Sequence, residues 1–150
     1  MNTSSHLASV AYYLAPVLAQ VALAYFAAAL ILVTRLQDII GGTASLVFYE
    51  SYGGTGGPSM VQRTTHHLVN LFEFPVLFYA AVAFAIAADL RDPLLLQLAW
   101  AYVAIRWTHT LVHLTFNKLW VRTPVFMLSN LLLLGMWAHF ARLAWTPAAA

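Results

Sequence analysis

The 150-residue chain contains no cysteine, which excludes disulfides, thiolate metal sites and a cysteine nucleophile. If thiol chemistry takes place on this protein, the thiol comes from a ligand. Charge is scarce as well: seven Lys and Arg against five Asp and Glu make up 8% of the chain, where a soluble domain carries about 25%. A net charge of +2 neutralises no run of phosphates, so nucleic acid is not expected as a partner. Apolar residues fill 62% of the chain instead, against about 45 to 50% in ordinary domains. That composition excludes a soluble globular protein.

No charged side chain occurs between Met1 and Arg35, and the apolar stretch 12–34 exceeds the roughly 20 helical residues that cross a bilayer core. No cationic region precedes it, so it is read as a membrane span and not as a signal peptide. Further apolar segments lie at 66–88, 94–117 and 124–142. They are Leu- and Ala-rich blocks, about twice the 9 to 11 residues of a barrel strand. The expected fold is therefore all-α: an integral membrane four-helix bundle forming a single domain over residues 1–150. Pro93 is expected to start the third helix and Pro124 the fourth. The one long connection, 35–65, carries Gly41-Gly42 and the run Gly53 to Gly57; no Gly-Lys-Ser/Thr follows, so it reads as a surface loop and not a nucleotide site. Arg35, Arg63, Lys118 and Arg122 flank one side of the spans, Arg91 and Arg142 the other. This bias places the long loop in the cytoplasm and both termini outside.

Two spans carry polar residues that lipid does not favour. At 100° per residue Arg106, His109, His113 and Asn117 fall within about 80° of one another, a polar stripe on an otherwise apolar third helix. Arg63, His66, His67, Asn70 and Glu73 share an arc of about 120° on the second. A charged residue near mid-span costs about 2.5 to 3.5 kcal/mol on insertion scales, so such residues pair or line a cavity. Glu73 and Arg106 are the natural mutual partners. A buried ion pair that only sets helix register would account for these two, but not for both stripes together. The spacing of His109 and His113 also suits a metal such as zinc or iron; with Glu73 the only carboxylate within the bundle, no metal is expected. His6 and His139 read as interfacial, the five tryptophans as belt or packing aromatics, and Ser129 and Asn130 as contacts between helices.

Four spans in 150 residues, Asn70-Leu71-Phe72-Glu73-Phe74-Pro75 in the second and Arg106-Trp107-Thr108-His109-Thr110-Leu111-Val112-His113 in the third, resemble the MAPEG family, the membrane-associated proteins in eicosanoid and glutathione metabolism. The spacing from His113 to Arg122-Thr123, with Tyr25 and Arg35 in the first span, is similar to that of the family's microsomal prostaglandin E synthases and glutathione transferases. The resemblance implies a homotrimer in membrane lipid that binds glutathione between subunits near the cytoplasmic face and passes its thiolate to a small hydrophobic electrophile. It further implies that Asn70, Glu73, His109, His113 and Arg122 contact glutathione from one subunit, Arg35 and Tyr25 from its neighbour. Arg63, His66, Arg106 and Thr123 belong to the same expected site, with Arg122 as the group that stabilises the thiolate. His66, His113, Phe74 and Phe126 depart from the family's usual Arg or Tyr. Two other functions fit the same residues: a non-catalytic scaffold or lipid-binding member of the fold, and a histidine-based metalloenzyme.

Overall fold

The protein is described from a computed structural model, which covers residues 3–42, 73–115 and 118–145. Among the described residues are four helices: α1 Thr3–Ile40, α2 Pro75–Ala87, α3 Pro93–Leu114 and α4 Leu119–Trp145. Among the described residues there is no strand. Two of the four, α1 and α4, are long and apolar enough by themselves to cross a membrane.

The helices outrun the boundaries read from hydropathy, because lipid contact and helical backbone end at different places. With 38 residues, α1 measures about 57 Å, longer than a bilayer with its headgroups at about 40 to 45 Å. It passes through the polar turns on both sides of the apolar stretch and stops only at Gly41-Gly42, where Gly42 takes the left-handed conformation (φ +69°) and donates to the Ile39 carbonyl. At its other end Ser9 donates to the carboxylate of Asp89, docking the first turns onto the α2–α3 connection. The fourth helix likewise begins at Leu119, before Pro124. The Lys118 carbonyl accepts from the amides of both Val121 and Arg122, so Arg122 belongs to a helical turn and not to the connection. Residues 66–72 of the expected second span lie outside the described residues.

The short connection is built from its own residues. After α2 the amides of Asp89 and Leu90 return to the carbonyls of Ile86 and Ala85, a Schellman closure that needs a left-handed residue. Asp89 supplies it at φ 52°, as a short polar side chain can. Asp92 then caps α3, its Oδ1 accepting from the Leu95 amide at 2.8 Å, and Pro93 opens the helix as expected.

Apolar residues occupy both the core and the outer surface. On α1 the buried residues are Ser9, Tyr13, Pro16, Gln20, Leu23, Ala27, Ile31 and Thr34, recurring in steps of three and four as in a helix seam. Leu7, Leu14, Leu18, Phe26 and Leu32 face outwards. The core joins Tyr13, Phe78, Ala81, Val82, Ala85, Leu95, Ala99, Tyr102, Val103, Leu133 and Met136. Its alanines let the backbones approach, the usual device where lipid offers no hydrophobic drive between helices. Tyr102 stacks on Phe78 with ring centroids 4.9 Å apart and planes at 16°. Two indoles bond across helices: Trp107 to the Ala19 carbonyl and Trp137 to the Leu77 carbonyl, each at 3.2 Å. Ser129 does not bridge helices; its hydroxyl bonds the Phe126 carbonyl of its own helix at 2.7 Å.

Candidate functional site

The polar stripe of α3 faces the interior. Arg106 is fully buried and His109 and His113 are each 2% exposed, although nothing in their chemistry favours an apolar surrounding. The opposite face of the same helix, with Trp100, Ala104 and Leu111, is exposed. Thr110 shares the buried face and returns its hydroxyl to the Arg106 carbonyl at 2.9 Å. From Arg106 to His113 the stripe runs about 10 Å along the helix, towards the end of the bundle where α4 begins.

There the histidines meet α4 and the start of α2. The rings of His109 and His113 lie 5.9 Å apart, and Phe126 of α4 lies 5.6 Å from His109. Phe74, just before α2, sets its ring at 82° against Phe126, centroids 5.4 Å apart. One turn before Phe126 on α4, half-buried Arg122 acts electrostatically on His109. Two imidazoles, two guanidinium groups and two phenyl rings thus converge at one end of the bundle. Such a set can bind an anion and place an apolar group beside it.

Of the expected site residues, Arg106, His109, His113 and Arg122 come together. Tyr25 is 74% exposed on α1, and Arg35 and Thr123 are exposed as well, so these three project from the bundle. Arg63, His66 and Asn70 lie outside the described residues, as does His67. The expected pairing of Glu73 with Arg106 is not formed. Phe74 and Pro75 take the inward positions at this level, leaving Glu73 exposed while Arg106 is wholly buried. Among the described residues no group of three or more His, Asp or Glu converges in metal-ligand geometry.

Several buried polar residues and pairings went unread in the sequence. Gln20 is fully buried on α1, and Tyr102, one turn before Arg106, is fully buried on α3. Gln20 is the one amide inside the first apolar stretch, and that interruption was the available signal. His139, expected at the interface, bonds Asp92 Oδ1 at 3.0 Å. This contact and the Leu95 amide outweigh the opposing effect of burial and hold the Asp92 carboxyl below its ordinary range. Hydroxyl donation from Ser9 and Ser5 does the same for Asp89.

Fold and site together define a helical membrane bundle with a buried cationic and imidazole cluster at one end. A family model described as the MAPEG family matches residues 13–142, and the chain belongs to that family. Its members are membrane-embedded, often oligomeric, and include glutathione-dependent transferases and related enzymes. No curated protein and no solved structure matches the chain.

Proposed function

We propose that the protein is a membrane-bound, glutathione-dependent transferase or peroxidase acting on lipophilic electrophiles. The observation that carries this reading is the convergence of Arg106, His109 and His113 with Arg122 at one end of the bundle. Glutathione offers two carboxylates, an ammonium and a thiol, and this donor set suits its anionic groups. Bound there, glutathione supplies a thiolate nucleophile. The guanidinium of Arg122 favours that anion over the neutral thiol, and His109 and His113 donate hydrogen bonds to its carboxylates or peptide oxygens. Exposed Glu73 takes the ammonium, and Arg63, His66 and Asn70 are proposed to contribute to the same site.

The outward placement of Tyr25 and Arg35 supports a site finished by a neighbouring subunit, as in a homotrimer. The phenyl rings of Phe74 and Phe126 form an apolar wall beside His109, suited to an electrophile arriving from lipid. All four helices are proposed to span the membrane, with both termini outside and the glutathione site facing the cytoplasm. On α4, Trp120 and Trp145 are 91% and 84% exposed and stand about 37 Å apart, bracketing a hydrocarbon core of about 30 Å in the manner of interfacial tryptophans.

A non-catalytic lipid-binding member is the second reading, favoured by the phenyl rings that stand at the site without hydroxyls. Calorimetric titration of the detergent-purified protein with glutathione across pH separates the two. The first reading expects saturable binding. No heat of binding at any pH would leave the second.

A further inference from the structure

Deep in the bundle, Gln20 of α1 and Tyr102 of α3 are both fully buried. Among the described residues neither polar atom of the Gln20 amide finds a hydrogen-bond partner, and the Tyr102 hydroxyl finds none either. An amide or hydroxyl taken out of water without a replacement bond is strongly penalised. Buried polar groups in native proteins are accordingly bonded to protein or to ordered water in the great majority of cases. Lipid and a neighbouring subunit cannot supply the bond here, because both side chains are closed off within a single chain. The partner has to lie inside the bundle.

The two residues share one stretch of the seam between α1 and α3. The Tyr13 hydroxyl of α1 accepts from the Asp92 amide at the start of α3 at 3.3 Å, and further along α1 Leu23 and Ala27 pack with Trp107 of α3. Gln20 lies between these two ties on α1, and Tyr102 lies between them on α3. The Tyr102 ring is held by its stack on Phe78 of α2, and Arg106, one turn further on, acts on it electrostatically. We propose that Gln20 and Tyr102 hold an ordered water molecule between α1 and α3. Water donates twice and accepts twice, so it can donate to Gln20 Oε1 while accepting from the Tyr102 hydroxyl. A larger polar ligand is not suited to side chains that are wholly enclosed. The water ties α1 to α3 inside the bundle and lengthens the polar stripe of α3 by one turn, from Arg106 to Tyr102.

The test is X-ray radiolytic footprinting of the full-length protein in detergent, in which hydroxyl radicals formed from a bound water oxidise the side chain that touches it. The expected result is oxidation of Tyr102 in the wild type, although it is fully buried, and none of Met136, a more reactive side chain equally buried in the apolar core. Gln20→Leu should lower the Tyr102 signal severalfold. Gln20→Leu and Tyr102→Phe should each melt below wild type. The double variant should melt about as low as the lower of the two, because the first change already releases the water they share. Unoxidised Tyr102 in the wild type would overturn the proposal whether or not the variants fold. So would a Gln20→Leu protein that melts above wild type, the mark of an amide with no partner at all, or equal oxidation of Met136, the mark of solvent entering the whole bundle.

Discussion

Trp107 of α3 donates its indole N–H to the Ala19 carbonyl of α1 at 3.2 Å, while its ring lies 5.8 Å from that of Phe26. This side chain both bonds and packs against α1. Trp107→Phe keeps an aromatic ring against α1 and loses the bond, so a stability loss of about 1 kcal/mol is expected. Thermal melting in detergent measures it, and a loss several times larger would mean that ring packing dominates.

Because Glu73 is exposed and Arg106 is buried, the two should separate in a stability assay. Glu73→Gln is expected to change stability by less than about 0.5 kcal/mol, as exposed substitutions do. Arg106→Ala empties the largest fully buried side chain and should cost about 3 kcal/mol or more. Equal losses from the two variants would restore the ion pair. Under the proposed function, Glu73→Gln should nevertheless weaken glutathione binding.

Acid should loosen the end that carries Asp89 and Asp92. Both carboxyls are held below their ordinary range, so the stability they contribute is present above the unfolded value of about 3.9 and is lost as pH falls through the lower, folded value. The melting temperature should therefore stay level down to about pH 4 as far as these two groups are concerned, and decline below it. Ser9→Ala removes a donor to Asp89; it should melt lower than wild type at neutral pH and converge with it in acid. A constant difference at every pH would remove Asp89 from the account.

Arg122 lies on α4 one turn before Phe126 and acts on His109. If it stabilises the bound thiolate, Arg122→Ala should raise the pKa of bound glutathione by about one unit, equivalent to about 1.4 kcal/mol. Turnover with a model electrophile should fall more than binding does, because the anion gains most from the charge. Arg122→Lys should rescue only partly, a point charge being a poor substitute for a planar fork. Thiolate absorbance in the ultraviolet reads the titration, and identical curves for wild type and Arg122→Ala would withdraw the role.

The proposed topology can be tested without background, since the chain has no cysteine. In intact cells an impermeant maleimide should label Thr3→Cys and leave Ser59→Cys unlabelled. The reverse pattern would turn the bundle over in the membrane.

Composition, periodicity and turn residues were enough for the all-α membrane bundle. Lipid excludes every backbone arrangement that leaves N–H and C=O groups unpaired, so long Leu- and Ala-rich segments have little choice but to be helices. The inward face of α3 was legible for the same reason, because Arg106, His109 and His113 at helical spacing cannot all face hydrocarbon. The caps at Pro93 and Gly42 follow from what proline and glycine backbones allow. The ends of α1 and α4 lie beyond the apolar spans because hydropathy reports where lipid stops, whereas the helix stops where its terminal hydrogen bonds are satisfied. Pairings were decided only in three dimensions. Charge and stripe geometry joined Glu73 to Arg106, but the rotation of the chain at Phe74-Pro75 sets Glu73 outside. Asp92 and His139 stand 47 residues apart, with no period to link them. They meet because α4 runs antiparallel to α3 and brings its last turns beside the cap of α3, a consequence of packing that local propensity does not encode.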